Sequence, residues 1–247
     1  MINLSGLILS AAVASAANLE APQHPPYGCP DCTLQAFQLD YDVSRNGKQL
    51  GQAQLSLRPS GGSLWVLEMQ VEATKGLASV AGYRETERST LRLDEHGWQI
   101  VDYQRKRKVA FGNRDEHMRF DWDNGRLDSE IKGEPRTVAL PPGTVDSNSL
   151  TLLLGHQLSL AQEPGSYSVA RSGKVDQWRF ALADGETIDG FAVHRLDRIR
   201  EDSRRTTTSW FSPAHGYLPI RLQQVEKDGE TITMTLRAAH GAASPGS

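Results

Sequence analysis

The chain has 247 residues, enough for one large β domain or two small ones. A formal net charge of −3 gives no sign of a nucleic-acid binder, and 38% hydrophobic residues is enough for a core in a wide sheet with one wet face. No internal repeat is present, and no cofactor or metal motif.

The chain opens "MINLSGLILSAAVASAANLE", with no charged side chain before Glu20. Leu4 to Ala16 is an apolar run too short to span a bilayer as a helix. Ala14-Ser15-Ala16 has the small-x-small pattern of a signal-peptide cleavage site. Residues 1–16 therefore read as a cleaved secretory signal, although no Lys or Arg precedes the run. No later run is long enough for a membrane helix. The expectation is an exported protein of the bacterial periplasm, not an integral membrane protein.

Residues 17–33 form a Pro-rich segment that carries both cysteines of the chain, Cys29 and Cys32, in "PPYGCPDCTL". In an oxidising compartment two such cysteines tend to be joined. The loop closed is very small, so a bridge restrains little unfolded-chain entropy. A redox centre would need the pair to open a helix, and here prolines crowd it and a strand-like run follows. A zinc site would need further Cys or His at partner spacing. A structural disulfide is the preferred reading, ahead of redox and metal roles.

From Leu34 the dominant signal is period two. Phe37, Leu39, Tyr41 and Val43 share one face; "RNGK" signals a hairpin; Ala53, Leu55 and Leu57 line the return. "PSGGS" turns the chain into Trp65, Leu67, Met69 and Val71. "KGLASVAG" reads as a Gly-bounded loop. Tyr83–Leu93 and Trp98–Val109 pair around "DEHG". If that turn is tight, Glu85 falls opposite Lys106 as a cross-strand ion pair. Met118, Phe120 and Trp122 alternate, "DNG" turns, and Arg126–Lys132 returns. Later strands run at Trp178–Leu182, Phe191–Arg200, Thr206–Phe211, Leu218–Glu226 and Ile232–Leu236.

One segment, "LPPGTVDSNSLTLLLGHQLSLAQEPG", breaks this rhythm and predicts a helix over about 146–161. Asp146 or Ser147 can cap it. Leu150, Leu153, Leu154, Leu158 and Leu160 crowd one side, and Pro164-Gly165 stops it. The sum is mainly β: about a dozen antiparallel strands in a single domain over 34–238, with one principal helix and a disordered tail at 239–247. A sheet this wide must curl. The expected architecture is a barrel or half-barrel with the leucine face of the helix on the concave side.

Four stretches, "EATKGLASVAGYRETERSTL", "FDWDNGRL", "LPPGTVDSNSL" and "SWFSPAHGYLPIRLQQVEKDGETITMTL", together resemble the bacterial periplasmic family known as domain of unknown function 3108. The resemblance runs from about Gln35 to Leu236. It implies an exported β-rich domain and brings no reaction, substrate or catalytic residue. The inferred architecture is also similar to periplasmic lipoprotein carriers, which are half-barrels with a helical lid and an apolar cavity, but only by analogy.

Asp146 and Ser149 match the family's Asp-x-x-Ser pattern. They read as a helix cap before they read as a catalytic pair with His156, since no nucleophile elbow frames Ser149. The seven histidines show no metal-ligand spacing. In "YQRKRK", Arg105 and Arg107 share a face with Tyr103. That strand is a solvated face or an anionic-ligand patch. Trp210, Phe211 and Tyr217 gather around a turn with two prolines, where they can rim a cavity mouth. Leu153 and Leu154 are the helix residues aimed at a ligand. The leading expectation is a non-enzymatic carrier of a lipid or other amphipathic ligand. The alternatives are an envelope assembly factor working through a protein partner, and a hydrolase using Ser149 or a histidine.

Overall fold

Alternation becomes strand wherever the chain can keep one apolar face inward, and here it does so for nearly its whole length. A computed structural model describes residues 29–30, 32–76, 82–109, 112–200 and 205–241. The expected signal segment, the centre of the "KGLASVAG" loop and the last six residues lie outside these.

The strands are β1 (Cys29–Pro30), β2 (Phe37–Arg45), β3 (Lys48–Pro59), β4 (Leu64–Ala73), β5 (Arg84–Asp94), β6 (Gly97–Val109), β7 (Gly112–Asp121), β8 (Arg126–Ile131), β9 (Glu134–Ala139) and β10 (Val145–Asp146). After the helix α1 (Leu150–Ser159) come β11 (Ser166–Arg171), β12 (Lys174–Ile188), β13 (Phe191–Ile199), β14 (Thr206–Ser212), β15 (Leu218–Val225) and β16 (Thr231–His240). They form one 16-stranded sheet, in which β2 to β9 and β11 to β16 are two meanders. The meanders join where the last strand meets the first long one, with Met234 opposite Val43. Every described pairing is antiparallel except the short parallel contact of β10 with β11.

The twelve expected strands are all present. The four additional ones are β1, β9, β10 and β11, each of two or six residues. β9 gave no signal because its side chains are almost all exposed and show no alternation. The last strand extends to His240, two residues past the expected domain end.

The sheet curls until its two ends meet. β9 comes against β12, and the Ser172 N–H donates to the Glu116 carboxylate on β7. Gly173 is required at this seam. Its φ is +70°, and a Cβ there would lie 2.8 Å from Ser129 Oγ. The inward residues Leu39, Tyr41, Leu55, Leu67, Leu91, Ile100, Tyr103 and Leu127 are at most 1% exposed, and each such large apolar side chain contributes about 2 kcal/mol.

The helix is shorter than expected. Val145 and Asp146 are held in strand by β11, so α1 begins at Leu150. It ends before Pro164-Gly165, because Ala161 turns left-handed (φ 53°) and the Gln162 N–H reaches back to the Gln157 carbonyl at 2.9 Å. Leu150, Leu153, Leu154 and Leu158 are buried, whereas Leu160 is 54% exposed and lies off the apolar face. Gly155 lets α1 sit on the start of β15, since a Cβ there would lie 2.4 Å from the Tyr217 carbonyl oxygen. Among the described residues no helix is long and apolar enough to cross a membrane.

Candidate functional site

Three environments share the concave side: a plugged end, a polar interior and an open end. At the plugged end α1 turns its leucines into the core. Leu153 and Leu154 fill space in the core and do not line the opening beside the helix. The opposite flank of the helix (Thr151, Leu152, Gly155, His156 and Ser159) borders an opening of about 300 Å³ with Cys32, Trp98 and Tyr217.

The aromatic trio is split. Trp210 and Phe211 are consecutive on β14, so the alternation of the strand sends the two rings to opposite faces. Phe211 enters the core. Trp210 joins Ile188, Val193 and Ile220 in a satellite cluster, and its indole N–H donates to Glu186 at 2.6 Å. Tyr217 alone reaches an opening; it is left-handed (φ 56°) and its ring stacks on His194 with centroids 5.9 Å apart.

The Asp-x-x-Ser pattern closes the turn before α1 in the barrel interior, while the N-cap residue Ser149 gives α1 no side-chain cap bond. One Asp146 carboxylate oxygen accepts the backbone N–H of Asn148 and of Ser149, each at 2.8 Å, and the Ser89 hydroxyl at 2.9 Å. The Ser149 hydroxyl accepts the Asp146 N–H at 3.2 Å. Asn148 extends the knot to the Leu67 carbonyl on β4 and to Ser89 on β5. Burial pushes the Asp146 pKa up to about 6 against the pull of these donors. Its second oxygen is buried without a partner. Ser149 is fully buried and its hydroxyl is engaged with the Asp146 backbone, so it is not presented as a nucleophile.

Beside the knot lies an ion-pair network that contains Arg105 and Arg107. The "DEHG" turn is tight, Asp94 pairing with Gly97. Val101 then bulges, so pairing steps from Leu91–Ile100 to Thr90–Asp102. That single extra residue moves Glu85 from opposite Lys106 to opposite Arg107. Glu85 accepts from Arg107 and Arg105 at 2.6 Å each, and Arg105 also stands 3.5 Å from Glu87. The Tyr103 hydroxyl donates to Glu87 at 2.9 Å. Burial alone would raise the Glu85 pKa, but the Arg107 and Tyr83 hydrogen bonds and both guanidinium charges bring it down to about 2. Glu87 moves the other way, because burial dominates there. Both arginines are thus engaged with Glu85, and with Arg114 and Lys132 they border an opening of about 150 Å³. Sequence reasoning missed Ser89 as a partner of Asp146 and Asn148, since only the curl of the sheet brings β5 to that loop. Among the described residues no group of three His, Cys, Asp or Glu side chains is placed to hold a metal.

The open end has a different lining. Val43, Gly51, Val71, Ala73, Leu222, Ile232 and Met234 surround a largely apolar cavity of about 490 Å³. Tyr83, Gln223, Gln224 and Thr207 stand among them. Small side chains on β2, β3 and β4 leave this space, where the same strands carry Tyr41, Leu55 and Leu67 further in.

A family model described as "Protein of unknown function (DUF3108)" matches residues 40–237. The chain belongs to the DUF3108 family. No curated protein matches it. The fold of this DUF3108 chain is similar to the crystal structure of a beta-barrel-like protein of domain of unknown function DUF1849 from Brucella abortus. The TM-score is 0.55 at 10% identity, over 83% of this chain and 97% of the other. At that identity the likeness bears on fold alone.

Proposed function

We propose that this DUF3108 protein is exported and holds an apolar or amphipathic ligand inside its curled sheet. The observation that carries the reading is the apolar cavity of about 490 Å³ at the open end, within the range of roughly 300–1,000 Å³ typical of small-molecule sites. The ligand space is at the end away from α1, and the buried Leu153 and Leu154 are support for the fold rather than contacts.

The test is native mass spectrometry of protein taken from the periplasm, with organic extraction of the same sample. A lipid-sized adduct that extraction removes is the expected result. Met234→Arg, which puts a charge into the cavity, should abolish the adduct while leaving the circular dichroism of the sheet unchanged. A folded Met234→Arg protein that keeps its adduct would overturn the cavity reading. The same spectra bear on the proposed Cys29–Cys32 bridge, which predicts a mass lower by two hydrogens and no alkylation without reductant. Cys32 is buried and no free cysteine occurs among the described residues.

A second reading, contact with an envelope protein, is favoured by β9. It ends the path of the sheet and its residues are exposed along nearly their whole length, so the part of this edge that β12 leaves uncovered offers backbone groups for strand addition. Its Pro135 limits that pairing. Crosslinking from a photoreactive residue at Arg136 should capture a protein partner if this reading holds, and should give monomer only if it does not.

A further inference from the structure

The open end carries cations as well as apolar surface. On β12 and β13 the register sets Leu182 opposite Leu196 and Phe180 opposite Arg198. Leu196 is fully buried in the core, so Arg198, two residues on, faces the same concave side. Its guanidinium lies 3.2 Å over the centre of the Trp178 ring, and its Nε is buried with no hydrogen-bond partner. Arg200 Nη1 donates to the Thr207 hydroxyl at 3.0 Å, and Thr207 lines the apolar cavity. Arg171, at the end of β11, is close enough that its charge acts on both.

These arginines differ from the others inside the barrel. Arg105 and Arg107 share Glu85, and Arg205 is paired with Glu226. Among the described residues Arg171, Arg198 and Arg200 make no ion pair. Burial first, then the charges of Arg200 and Arg171, hold the Arg198 pKa down to about 9. Carboxylates lie near these arginines, Asp176 by Arg198, Glu226 by Arg200 and Glu87 by Arg171, but none forms an ion pair with them, so guanidinium donors remain that a bound anion would satisfy. A planar guanidinium with free donors matches a carboxylate or a phosphate.

We infer that the ligand of this cavity is an anionic amphiphile, its hydrocarbon tail in the apolar space and its carboxylate or phosphate head on Arg198, Arg200 and Arg171. This rests on the cavity reading above and specifies its chemistry. The tail alone would bind through burial; the arginines add preference for the charged head and salt dependence.

The test uses the full mature chain and the uncharged dye N-phenyl-1-naphthylamine, displaced in separate titrations by palmitate, by palmitoyl lysophosphatidate and by uncharged hexadecanol. An anionic competitor should displace the dye at a concentration at least tenfold below that of hexadecanol. Whichever of palmitate and lysophosphatidate is stronger identifies the head group. The gap should narrow as salt is raised. Arg198→Met keeps the apolar stem over Trp178 and should shrink the gap to about twofold without weakening hexadecanol. Arg198→Lys should retain most of it. If hexadecanol matches the anions in the wild type, or if Arg198→Met and Arg200→Gln both keep the gap, the anionic head is wrong while the cavity stands. If neither dye nor competitor binds, the cavity reading itself fails.

Discussion

The two ends of the curled sheet are built from the same strands and have opposite contents. Toward α1 the inward positions hold Tyr41, Leu55, Leu57, Trp98 and Tyr103, and the space between them is filled by buried leucines and the Asp146 knot. Toward the other end the inward positions hold Gly51, Ala73, Val43 and Val71, and the space stays open. Gly51 is fixed by the backbone: a Cβ there would fall 2.0 Å from the Glu72 carbonyl. The difference teaches that stability and binding are separated along one set of strands. The plugged end can be perturbed only at a cost in folding, whereas the open end can be altered with little.

Removing the keystone of the plugged end should give the largest effect. Asp146→Ala leaves two backbone N–H groups and the Ser89 hydroxyl buried without their acceptor. The expected loss is roughly 3–5 kcal/mol in urea unfolding, since each orphaned buried donor costs about 1–3 kcal/mol and the losses are not fully additive. A loss below about 1 kcal/mol would mean that the knot is ornamental.

The pH dependence of stability should show the same carboxyl. Asp146 has its pKa raised to about 6 by burial. Its contribution is therefore fully present below its unfolded pKa near 4 and is lost as pH rises through 6, on the order of 2–3 kcal/mol at most. Glu85, lowered to about 2, has the opposite sign: its contribution is present above about 4.5 and is lost as pH falls toward 2. Asp146→Asn should flatten the stability profile between pH 4 and 6 and leave the acid limb below 4 in place. A variant with an unchanged slope between 4 and 6 would show that Asp146 does not titrate there.

Most of the sheet was legible because a half-buried strand writes its burial into every second residue. Phe37 to Val43 and Ala53 to Leu57 are buried in strict alternation, as expected. The helix was legible from its leucines, but its start was not, since nothing local announces that Val145 and Asp146 pair with β11. Arg105 and Arg107 do share a face with Tyr103, but that face turns inward rather than to solvent, and Glu85 falls opposite Arg107 instead of Lys106 because the bulge at Val101 has no local signature. Trp210 and Phe211 were grouped because they are adjacent in sequence, whereas neighbours on a strand face opposite ways. The cavity depends on which strands meet across the barrel, so no window of sequence contains it.

The smallest effects come from enlarging one side chain at each end. Gly155→Ala puts a methyl 2.4 Å from the Tyr217 carbonyl oxygen, so α1 or the start of β15 must move. The expected cost is about 1–3 kcal/mol, the range for overpacking, despite the better helix propensity of Ala. Val71→Phe adds a larger side chain to the cavity wall at the other end, where about 490 Å³ is open. Its stability should stay within about 1 kcal/mol of the wild type, because the added surface enters space that no protein atom occupies. Dye binding should weaken in the same variant, since the ring takes up the space the ligand needs. Equal destabilisation by the two substitutions would mean that the open end is packed in solution, and the separation of folding from binding would then fail.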